Sequence, residues 1–287
     1  MSRLLLCTDL DRTLLPNGAQ SESPDARRRF GAFVAQDAVI LAYVTGRHRA
    51  LVERAVASYG IPTPDFVISD VGTRIHDLRR GDWQSWQAWE DVIDVDWGGN
   101  DHRALRGLLS DLSALRLQER SKQNAHKLSY YVPLQVDRHA LCDAVEQRLQ
   151  AVGVRANLVW SVDEPNGVGL LDVLPASAGK LQAIRFLQGK LGLGENEVIF
   201  AGDSGNDLPV LASGLPAVLV ANASAEVRAE ASALARAQGK SDRLYLARGG
   251  VLGMNGNYSA GILEGVAHFH PELIARLADE GGWQHAG

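Results

Sequence analysis

Apolar runs that end in polar residues alternate with amphipathic segments over the first part of the chain. The runs at 3–9, 38–46 and 65–73 have the length and continuous apolar character of strands buried on both faces of a sheet. The segments between them, 23–36 and 48–60, have the apolar spacing and the end signals of helices. Strands that alternate with helices in this way predict parallel pairing through crossover helices.

The pattern becomes less regular after residue 80 and regains its alternation after Pro175. The less regular part predicts helices near 101–117 and at 137–152, and strands at 125–134, 154–161 and 168–174. The last part predicts a helix over 178–193, a strand at 197–203, a short helix over 206–214 and a strand at 217–222.

Together these elements predict an α/β fold in two parts. Residues 1–80 and 171–287 would form a doubly wound, Rossmann-like core around a parallel sheet. Residues 81–170 would form an inserted α+β domain.

Composition narrows the class of protein. The chain has 287 residues, 46% of them hydrophobic, which is enough for a sizeable core. Its net charge of −5 argues against partners such as nucleic acid or an anionic membrane surface. No apolar run approaches the roughly 20 residues of a membrane span. Only two cysteines occur, as is typical of a reducing compartment, so we expect a cytoplasmic protein.

Polar residues with chemical potential follow several core strands. Asp9 and Asp11 follow the first strand, and Thr45 with Gly46 follows the second. The strand at 197–203 runs into the sequence “GDSGND” at 202–207, and Lys180 lies at the start of a predicted helix. Because the carboxyl ends of parallel strands share one edge of a sheet, we expect all of these residues to line one crevice.

The charges of this crevice indicate what it binds. Asp9, Asp11, Asp203 and Asp207 would all be ionised at neutral pH, given a reference pKa of about 3.9. Such a group of carboxylates requires a cation, and hard oxygen ligands suit Mg²⁺. A lysine, a hydroxyl and backbone N–H groups nearby suit the oxygens of a phosphate. The sequence therefore predicts a phosphoryl-transfer site.

Four short motifs carry a resemblance to a known superfamily. The sequences “DLDRT”, “VTG”, Lys180 and “GDSGND” resemble, in order, the four motifs of the haloacid dehalogenase superfamily. The long insertion between the second and third motifs resembles a type 2 cap domain. The segments “HKLSYYV”, “DVLP” and “YSAGILEGVAHF” are similar to those of sucrose-phosphate phosphatases.

This resemblance implies roles for the core residues. Asp9 would be the nucleophile that forms an aspartyl-phosphate, and Asp11 would be the general acid and base. Thr45, Gly46 and Lys180 would hold the phosphoryl oxygens, so the catalytic set is Asp9, Asp11, Thr45 and Lys180. The Mg²⁺ ligands would be Asp9, Asp203, the backbone carbonyl of Asp11 and, in support, Asp207.

Further substrate contacts are implied around this set. They are Gly72 and Thr73 in the loop after the third strand, Asn124, Lys127 and Ser129 in the cap, and Asn206 beside the metal loop.

Other features have competing interpretations. Trp83, Trp86 and Trp89 recur every third residue, a spacing that favours core packing over stacking on a sugar. His126 is compatible with either the cleft or the surface. Arg12 would point to solvent or touch a bound anion.

The activity implied is Mg²⁺-dependent hydrolysis of a sugar phosphate, with sucrose 6-phosphate as the leading substrate. Mannosylfructose, trehalose and glucosylglycerate phosphates are alternatives within the class, and a sugar phosphomutase is an alternative reaction. A non-catalytic sensor is disfavoured because the complete set of acidic residues and lysine is present. The partner would be a small sugar phosphate, a sugar-phosphate synthase stays open as a second partner, and a monomer is expected.

Overall fold

The computed structural model describes residues 3–163 and 166–280, with side chains described as far as residue 275. Two β-sheets form within these ranges, one of eight strands and one of four. In the described part of the chain, no helix is both long enough and apolar enough to cross a membrane. Cys7 and Cys142 are free thiols.

The large sheet is mostly parallel. Its first six strands pair in parallel in the order β12-β11-β10-β1-β2-β3, and β4 and β5 extend it with antiparallel pairing. The strands are β1 (Leu4–Thr8), β2 (Val39–Val44), β3 (Phe66–Ser69), β4 (Arg74–Asp77), β5 (Gln84–Ser85), β10 (Val198–Gly202), β11 (Ala217–Leu219) and β12 (Leu244–Leu246).

Helices cover both faces of this sheet. They are α1 (Ala26–Val34), α2 (Arg49–Tyr59), α3 (Gln87–Asp94), α6 (Lys180–Leu191), α7 (Leu208–Leu211), α8 (Ala225–Ala237), α9 (Ser259–Phe269) and α10 (Pro271–Glu280). Leu4 and Leu6 of β1 belong to the hydrophobic cluster that includes α1 and α9, whereas Leu5 and Cys7 belong to the cluster on the other face. Because neighbouring residues of a strand point to opposite faces, both faces of β1 must be apolar. The predicted doubly wound α/β core is confirmed.

The second sheet is antiparallel, with strand order β6-β7-β9-β8. Its strands are β6 (Arg116–Leu117), β7 (Leu128–Val132), β8 (Ala156–Asp163) and β9 (Val168–Pro175), and its helices are α4 (His102–Leu108) and α5 (Arg138–Gln150). A separate hydrophobic cluster joins them through residues such as Trp97, Leu105, Val145 and Leu171. We call this second sheet with its helices the cap.

The connections between the two parts bear on the predicted domain limits. The strand β5 pairs with β4 in the large sheet, and Trp89 and Ile93 of α3 pack in the core cluster with Ile184. Trp97 is the first residue of the cap cluster, and β9 pairs in the cap sheet as far as Pro175. The predicted limits of the inserted domain, 81 and 171, stay a prediction. From these contacts we propose instead that the cap spans about residues 95–175.

Several predicted elements have different ends. The helix predicted near 101–117 ends at Leu108, since Gly107, Ser110 and Asp111 favour turns. The strand predicted at 65–73 ends at Ser69, because the next residues adopt left-handed backbone. The helix predicted from residue 23 begins at Ala26, after left-handed Asp25 with φ 62°.

Trp83, Trp86 and Trp89 pack against other aromatic rings, which is the interpretation that their spacing favours. The ring of Trp89 lies 5.1 Å from that of Phe186, and the ring of Trp86 lies 5.5 Å from that of Phe66. The ring of Trp83 lies edge-on to His76 at 5.1 Å.

Candidate active site

Asp9 and Lys180 form a buried ion pair at the carboxyl edge of the large sheet. The backbone N–H of Asp9 donates to the carbonyl of Ala201 at 2.9 Å, which continues the pairing of β1 with β10 by one residue. The Lys180 ammonium lies 3.1 Å from Asp9 Oδ1. Both residues are at most 5% exposed. The pair therefore lies where the parallel sheet ends and a ligand can approach.

Asp207 anchors the lysine and the loop that follows β10. Its Oδ1 accepts from Lys180 Nζ at 2.7 Å, and its Oδ2 accepts from the backbone N–H groups of Asp203 and Ser204 at 3.1 and 3.2 Å. Asn206 Oδ1 accepts from Lys180 Nζ at 3.0 Å. Both oxygens of Asp207 thus hold protein groups, so its main effect is to position Lys180 and the loop.

Asp203 completes a group of three carboxylates. Its Oδ1 accepts from Thr13 Oγ1 at 3.0 Å, while its Oδ2 is buried without a hydrogen bond and has Arg12 Nε at 3.5 Å. Asp9, Asp203 and Asp207 each offer an oxygen within 4.8 Å of the others. A buried carboxylate oxygen that lacks a hydrogen bond, next to two further carboxylates, suits a hard divalent cation such as Mg²⁺.

The pKa values reflect this crowding of negative charge. Burial and the charge of Asp207 raise the pKa of Asp203 to about 7, although Thr13, Arg12 and Lys180 oppose that shift. Burial also raises the pKa of Asp9 well above its usual range, although Lys180 opposes that shift. Burial disfavours the charged form of Lys180, but Asp207 and Asp9 outweigh it and hold the pKa of the ammonium above its ordinary value. A bound cation would relieve the repulsion among these carboxylates.

Asp11 is held apart from this group by Arg47. The guanidinium donates from Nε to Oδ2 at 2.7 Å and from a terminal nitrogen to Oδ1 at 2.5 Å, and Asn17 Nδ2 donates to Oδ1 at 2.7 Å. Burial opposes the ionisation of Asp11, but these hydrogen bonds and the charge of Arg47 prevail and hold its pKa below its usual range. The bidentate pair fixes the orientation of the Asp11 carboxylate.

Thr45 and Gly46 follow β2, the neighbour of β1. Thr45 is buried, and its hydroxyl accepts from the backbone N–H of Arg47 at 3.2 Å. The N–H of Thr45 donates to the carbonyl of Ile68 at 2.9 Å, which ties the turn to β3. The turn therefore presents a hydroxyl at the same sheet edge as Asp9.

Gly72 and Thr73 join the core site to the cap. A Cβ on Gly72, which has φ 93°, would lie 2.3 Å from the carbonyl carbon of Gly179, so only glycine allows this contact with the start of α6. Thr73 Oγ1 accepts from Asn124 Nδ2 of the cap at 2.9 Å. The loop after β3 thus touches both the helix that carries Lys180 and the cap.

Lys127 and Ser129 converge on Asp172. The Lys127 ammonium lies 3.7 Å from Asp172 Oδ1, and Ser129 Oγ donates to the same oxygen. Lys127 and Ser129 are at most 5% exposed. Only Ser129 lies within β7, because Lys127 and Asn124 close a turn before it.

Two residues with open interpretations have defined positions. His126 is buried, hydrogen-bonds Asp94 Oδ1 at 2.9 Å and packs 5.9 Å from the ring of Trp97. It therefore belongs to the packing of the cap. Arg12 is partly exposed, and its Nε lies 3.5 Å from Asp203 Oδ2.

Sequence reasoning missed Arg47, Asp70 and Asp172. Arg47 directly follows “VTG”, and Asp172 is a lone acid in the apolar strand “VGLLDVLP”, which was a detectable signal. Asp70 is a buried acid directly after β3, where we expected continued strand.

Comparisons with known proteins agree with this architecture. The family model for sucrose-6F-phosphate phosphohydrolase matches residues 2–270. A HAD-like hydrolase of Nitrosococcus oceani is 53% identical over 95% of this chain and 73% of its own length. Mannosylfructose-phosphate phosphatase of Agrobacterium fabrum is 31% identical over 71% of this chain and 76% of its own length.

Sucrose-phosphatase 1 of Nicotiana tabacum is 28% identical over 94% of this chain, which spans only 60% of the tobacco protein. The solved structure of the sucrose-phosphatase from Synechocystis sp. PCC6803, in complex with sucrose and phosphate, superimposes with a TM-score of 0.75 at 25% identity. That match covers 94% of this chain and 98% of the other. The chain belongs to the sucrose-6F-phosphate phosphohydrolase family of the haloacid dehalogenase superfamily and is a phosphoric monoester hydrolase.

Proposed function

We propose that the chain hydrolyses sucrose 6-phosphate to sucrose and inorganic phosphate. The observation that carries the reaction is the buried Asp9–Lys180–Asp207 arrangement at the sheet edge. The cap meets the core next to this arrangement, through Asn124 and Thr73, so we expect a bound substrate to contact the cap. The family match and the sucrose complex of the Synechocystis relative support the sugar's identity.

The first chemical step makes use of Asp9 and Asp11. A carboxylate oxygen of Asp9 attacks phosphorus, the bond from phosphorus to the sugar oxygen breaks, and Asp11 gives that oxygen a proton. Lys180 and the Thr45 hydroxyl hold the phosphoryl oxygens during the transfer. The product of this step is an aspartyl-phosphate on Asp9 and a free sugar.

The second step restores the enzyme. Asp11 takes a proton from water, the water oxygen attacks phosphorus, and the bond to Asp9 breaks with release of phosphate. The ionised Asp11 that Arg47 favours is the form required for this step, whereas the first step requires the protonated carboxyl group, which the pairing with Arg47 disfavours. Asp9, Asp203 and the backbone carbonyl of Asp11 would hold Mg²⁺, with Asp207 in support, and the ion would supply positive charge to the phosphoryl oxygens.

Two other activities compete with this proposal. Hydrolysis of mannosylfructose phosphate is favoured by the similarity to the Agrobacterium phosphatase. A phosphomutase would use the same nucleophile but return the phosphoryl group to a sugar. Trehalose and glucosylglycerate phosphates, a synthase partner, a monomeric state and a cytoplasmic location stay predictions.

Release of inorganic phosphate from a panel of sugar phosphates tests the proposal. The panel contains sucrose 6-phosphate, mannosylfructose phosphate, trehalose 6-phosphate, glucose 6-phosphate and fructose 6-phosphate, each with Mg²⁺ or with EDTA. We expect kcat/KM for sucrose 6-phosphate to exceed the others by about tenfold or more, a difference of about 1.4 kcal/mol in transition-state binding. We also expect EDTA to abolish release.

Two variants control this assay. Asp9→Asn should release no phosphate, whereas Asp37→Asn, an exposed aspartate before β2, should match the parent. A preference for mannosylfructose phosphate would mean that this compound, and not sucrose 6-phosphate, is the substrate. Formation of an isomeric sugar phosphate without free phosphate would indicate a mutase. Turnover by Asp9→Asn within tenfold of the parent would refute the nucleophile assignment.

A further inference from the structure

Three consecutive residues after β3 adopt left-handed backbone conformations. Asp70 has φ 53°, Val71 has φ 61° and Gly72 has φ 93°. Glycine and aspartate tolerate this region, but a β-branched residue such as valine rarely adopts it. Such strain costs of order 1–3 kcal/mol per residue and persists only where the surroundings impose it, often at functional sites.

The surroundings of this turn come from the phosphate-binding side of the site. The N–H of Asp70 donates to the carbonyl of Arg47, and the N–H of Val71 donates to that of Thr45, both at 3.1 Å. Gly72 packs against the start of α6 at Gly179. The turn therefore brings Asp70 next to the residues proposed to bind phosphate.

Asp70 lies beside the contact between the core and the cap, since its carbonyl accepts from Thr73 Oγ1, which itself accepts from Asn124 of the cap. Asp70 is 5% exposed, and Ser69 Oγ donates to its Oδ2 at 3.0 Å. Burial raises the pKa of Asp70 above its usual value, against the favourable charges of Lys127, Arg74 and His48. Among the described residues, no ion pair joins Asp70 to Lys127, whose nearest carboxylate is that of Asp172.

We propose that Asp70 determines specificity by accepting a hydrogen bond from a hydroxyl of the non-phosphorylated part of the substrate. The proposal rests on the function proposed above and adds a residue to it. Lys127 is a donor and Asp172 an acceptor on the cap side, so Asp70 supplies the acceptor on the core side. A polyhydroxylated ligand matches this combination of donor and acceptors, and a plain aryl group does not.

The turn also explains why an aspartate stands here. The positive φ of Asp70 ends the β-strand geometry that we predicted for 65–73, so the chain turns beside the core–cap contact. Aspartate combines tolerance of that backbone with an acceptor group. The backbone strain is thus coupled to the position of one hydrogen-bonding group.

Two substitutions at Asp70 test the proposal. Asp70→Asn keeps the shape and tolerates left-handed backbone, while Asp70→Gly removes the side chain and relieves the backbone. Asp25→Asn is the matched control, since Asp25 is also left-handed, with φ 62°, but has a side chain 53% exposed. For each protein, kcat/KM is measured with sucrose 6-phosphate and with 4-nitrophenyl phosphate.

We divide kcat/KM for sucrose 6-phosphate by kcat/KM for 4-nitrophenyl phosphate and expect Asp70→Gly to lower this ratio about tenfold. A tenfold change corresponds to about 1.4 kcal/mol, the effect of one lost hydrogen bond. Asp70→Asn should lower it less, because its amide oxygen still accepts, and Asp25→Asn should leave it unchanged. If both Asp70 variants lose activity equally on the two substrates, or lose none, the proposal is wrong while the proposed function stands. If the parent hydrolyses only the aryl phosphate, the proposed function fails first and this proposal with it.

Discussion

Lys180 illustrates how individual residues sustain the site. A buried ammonium costs several kcal/mol unless partners compensate for the lost water. Oxygens of Asp207, Asp9 and Asn206 all lie within 3.1 Å of its nitrogen. These three protein oxygens fix the position of the ammonium group. Removal of one partner would leave an uncompensated buried charge, which explains why these residues act as a unit.

A different residue, His76, links pH to stability. It is 6% exposed, and burial, with the charges of Arg74 and Arg49, lowers the pKa of its ring to about 4. As the pH falls, the ring takes up a proton near pH 6.5 in the unfolded chain. In the folded chain it does so only near pH 4. The stability contribution of neutral His76 is therefore fully present above about pH 6.5 and is lost as the pH falls towards 4.

We expect this loss to disappear in His76→Phe. Between about pH 7.5 and pH 5, the free energy of unfolding of the parent should fall by about 2 kcal/mol more than that of the variant. Urea unfolding at the two pH values measures the difference, with His139→Phe at an exposed position as the control. Parallel pH dependence in parent and His76→Phe would contradict the assignment.

At the level of elements, the contact between the turn after β3 and the start of α6 sets the site. The carbonyl of Gly72 also accepts from Trp89 Nε1 at 3.0 Å, so α3 joins the same junction. Three elements from distant parts of the chain meet where Lys180 begins its helix. A change in this contact should therefore move the lysine as well as destabilise the fold.

Gly72→Ala tests this junction. Its Cβ would meet the backbone of Gly179 at 2.3 Å and Lys180 N at 2.8 Å, so α6 must shift. We expect a loss of stability of about 2–4 kcal/mol, together with at least a tenfold loss of phosphate release.

Gly60→Ala is the matched control. Gly60 is also left-handed, with φ 60°, but a Cβ there meets nothing within 4 Å. This variant should lose only about 1–2 kcal/mol of stability, which is the conformational cost of a side chain in left-handed backbone. Its turnover should be unchanged. Equal effects of the two substitutions, by thermal unfolding and phosphate release, would mean that the Gly72 contact does not position α6.

At the scale of the whole molecule, folding creates the acidic group. Asp9 follows β1, whereas Asp203 and Asp207 follow β10, and the pairing of these two strands brings the carboxylates within 4.8 Å. The unfolded chain has no such cluster, so a cation that binds it must stabilise the folded state.

Thermal unfolding with and without Mg²⁺ tests this coupling independently of activity. At about 100 times the dissociation constant, Mg²⁺ should add about 2.7 kcal/mol to the stability of the parent, and EDTA should reverse the gain. Asp203→Asn should remove most of the gain, and Asp37→Asn should retain it. An equal gain in Asp203→Asn would place the ion elsewhere.

The sequence by itself determined the parallel core and the edge at which its chemistry lies. Buried parallel strands need continuous apolar runs, and such runs mark β1, β2 and β10 clearly. Since parallel strands end at one edge, the polar residues after each run had to meet there, and Asp9, Asp203 and Asp207 do meet.

Only the tertiary structure decided which side chains pair across that edge. Arg47 pairs with Asp11 across 36 residues of sequence, and Lys127, in the turn before β7, pairs with Asp172 of β9. The left-handed turn at Asp70 interrupts a segment whose apolar pattern predicts strand, because the N–H groups of Asp70 and Val71 donate to carbonyls of the turn at Thr45 and so hold a conformation that local preference disfavours. Local patterns specify elements, whereas strand register and loop packing specify partners, and those depend on contacts that the order of residues does not reveal.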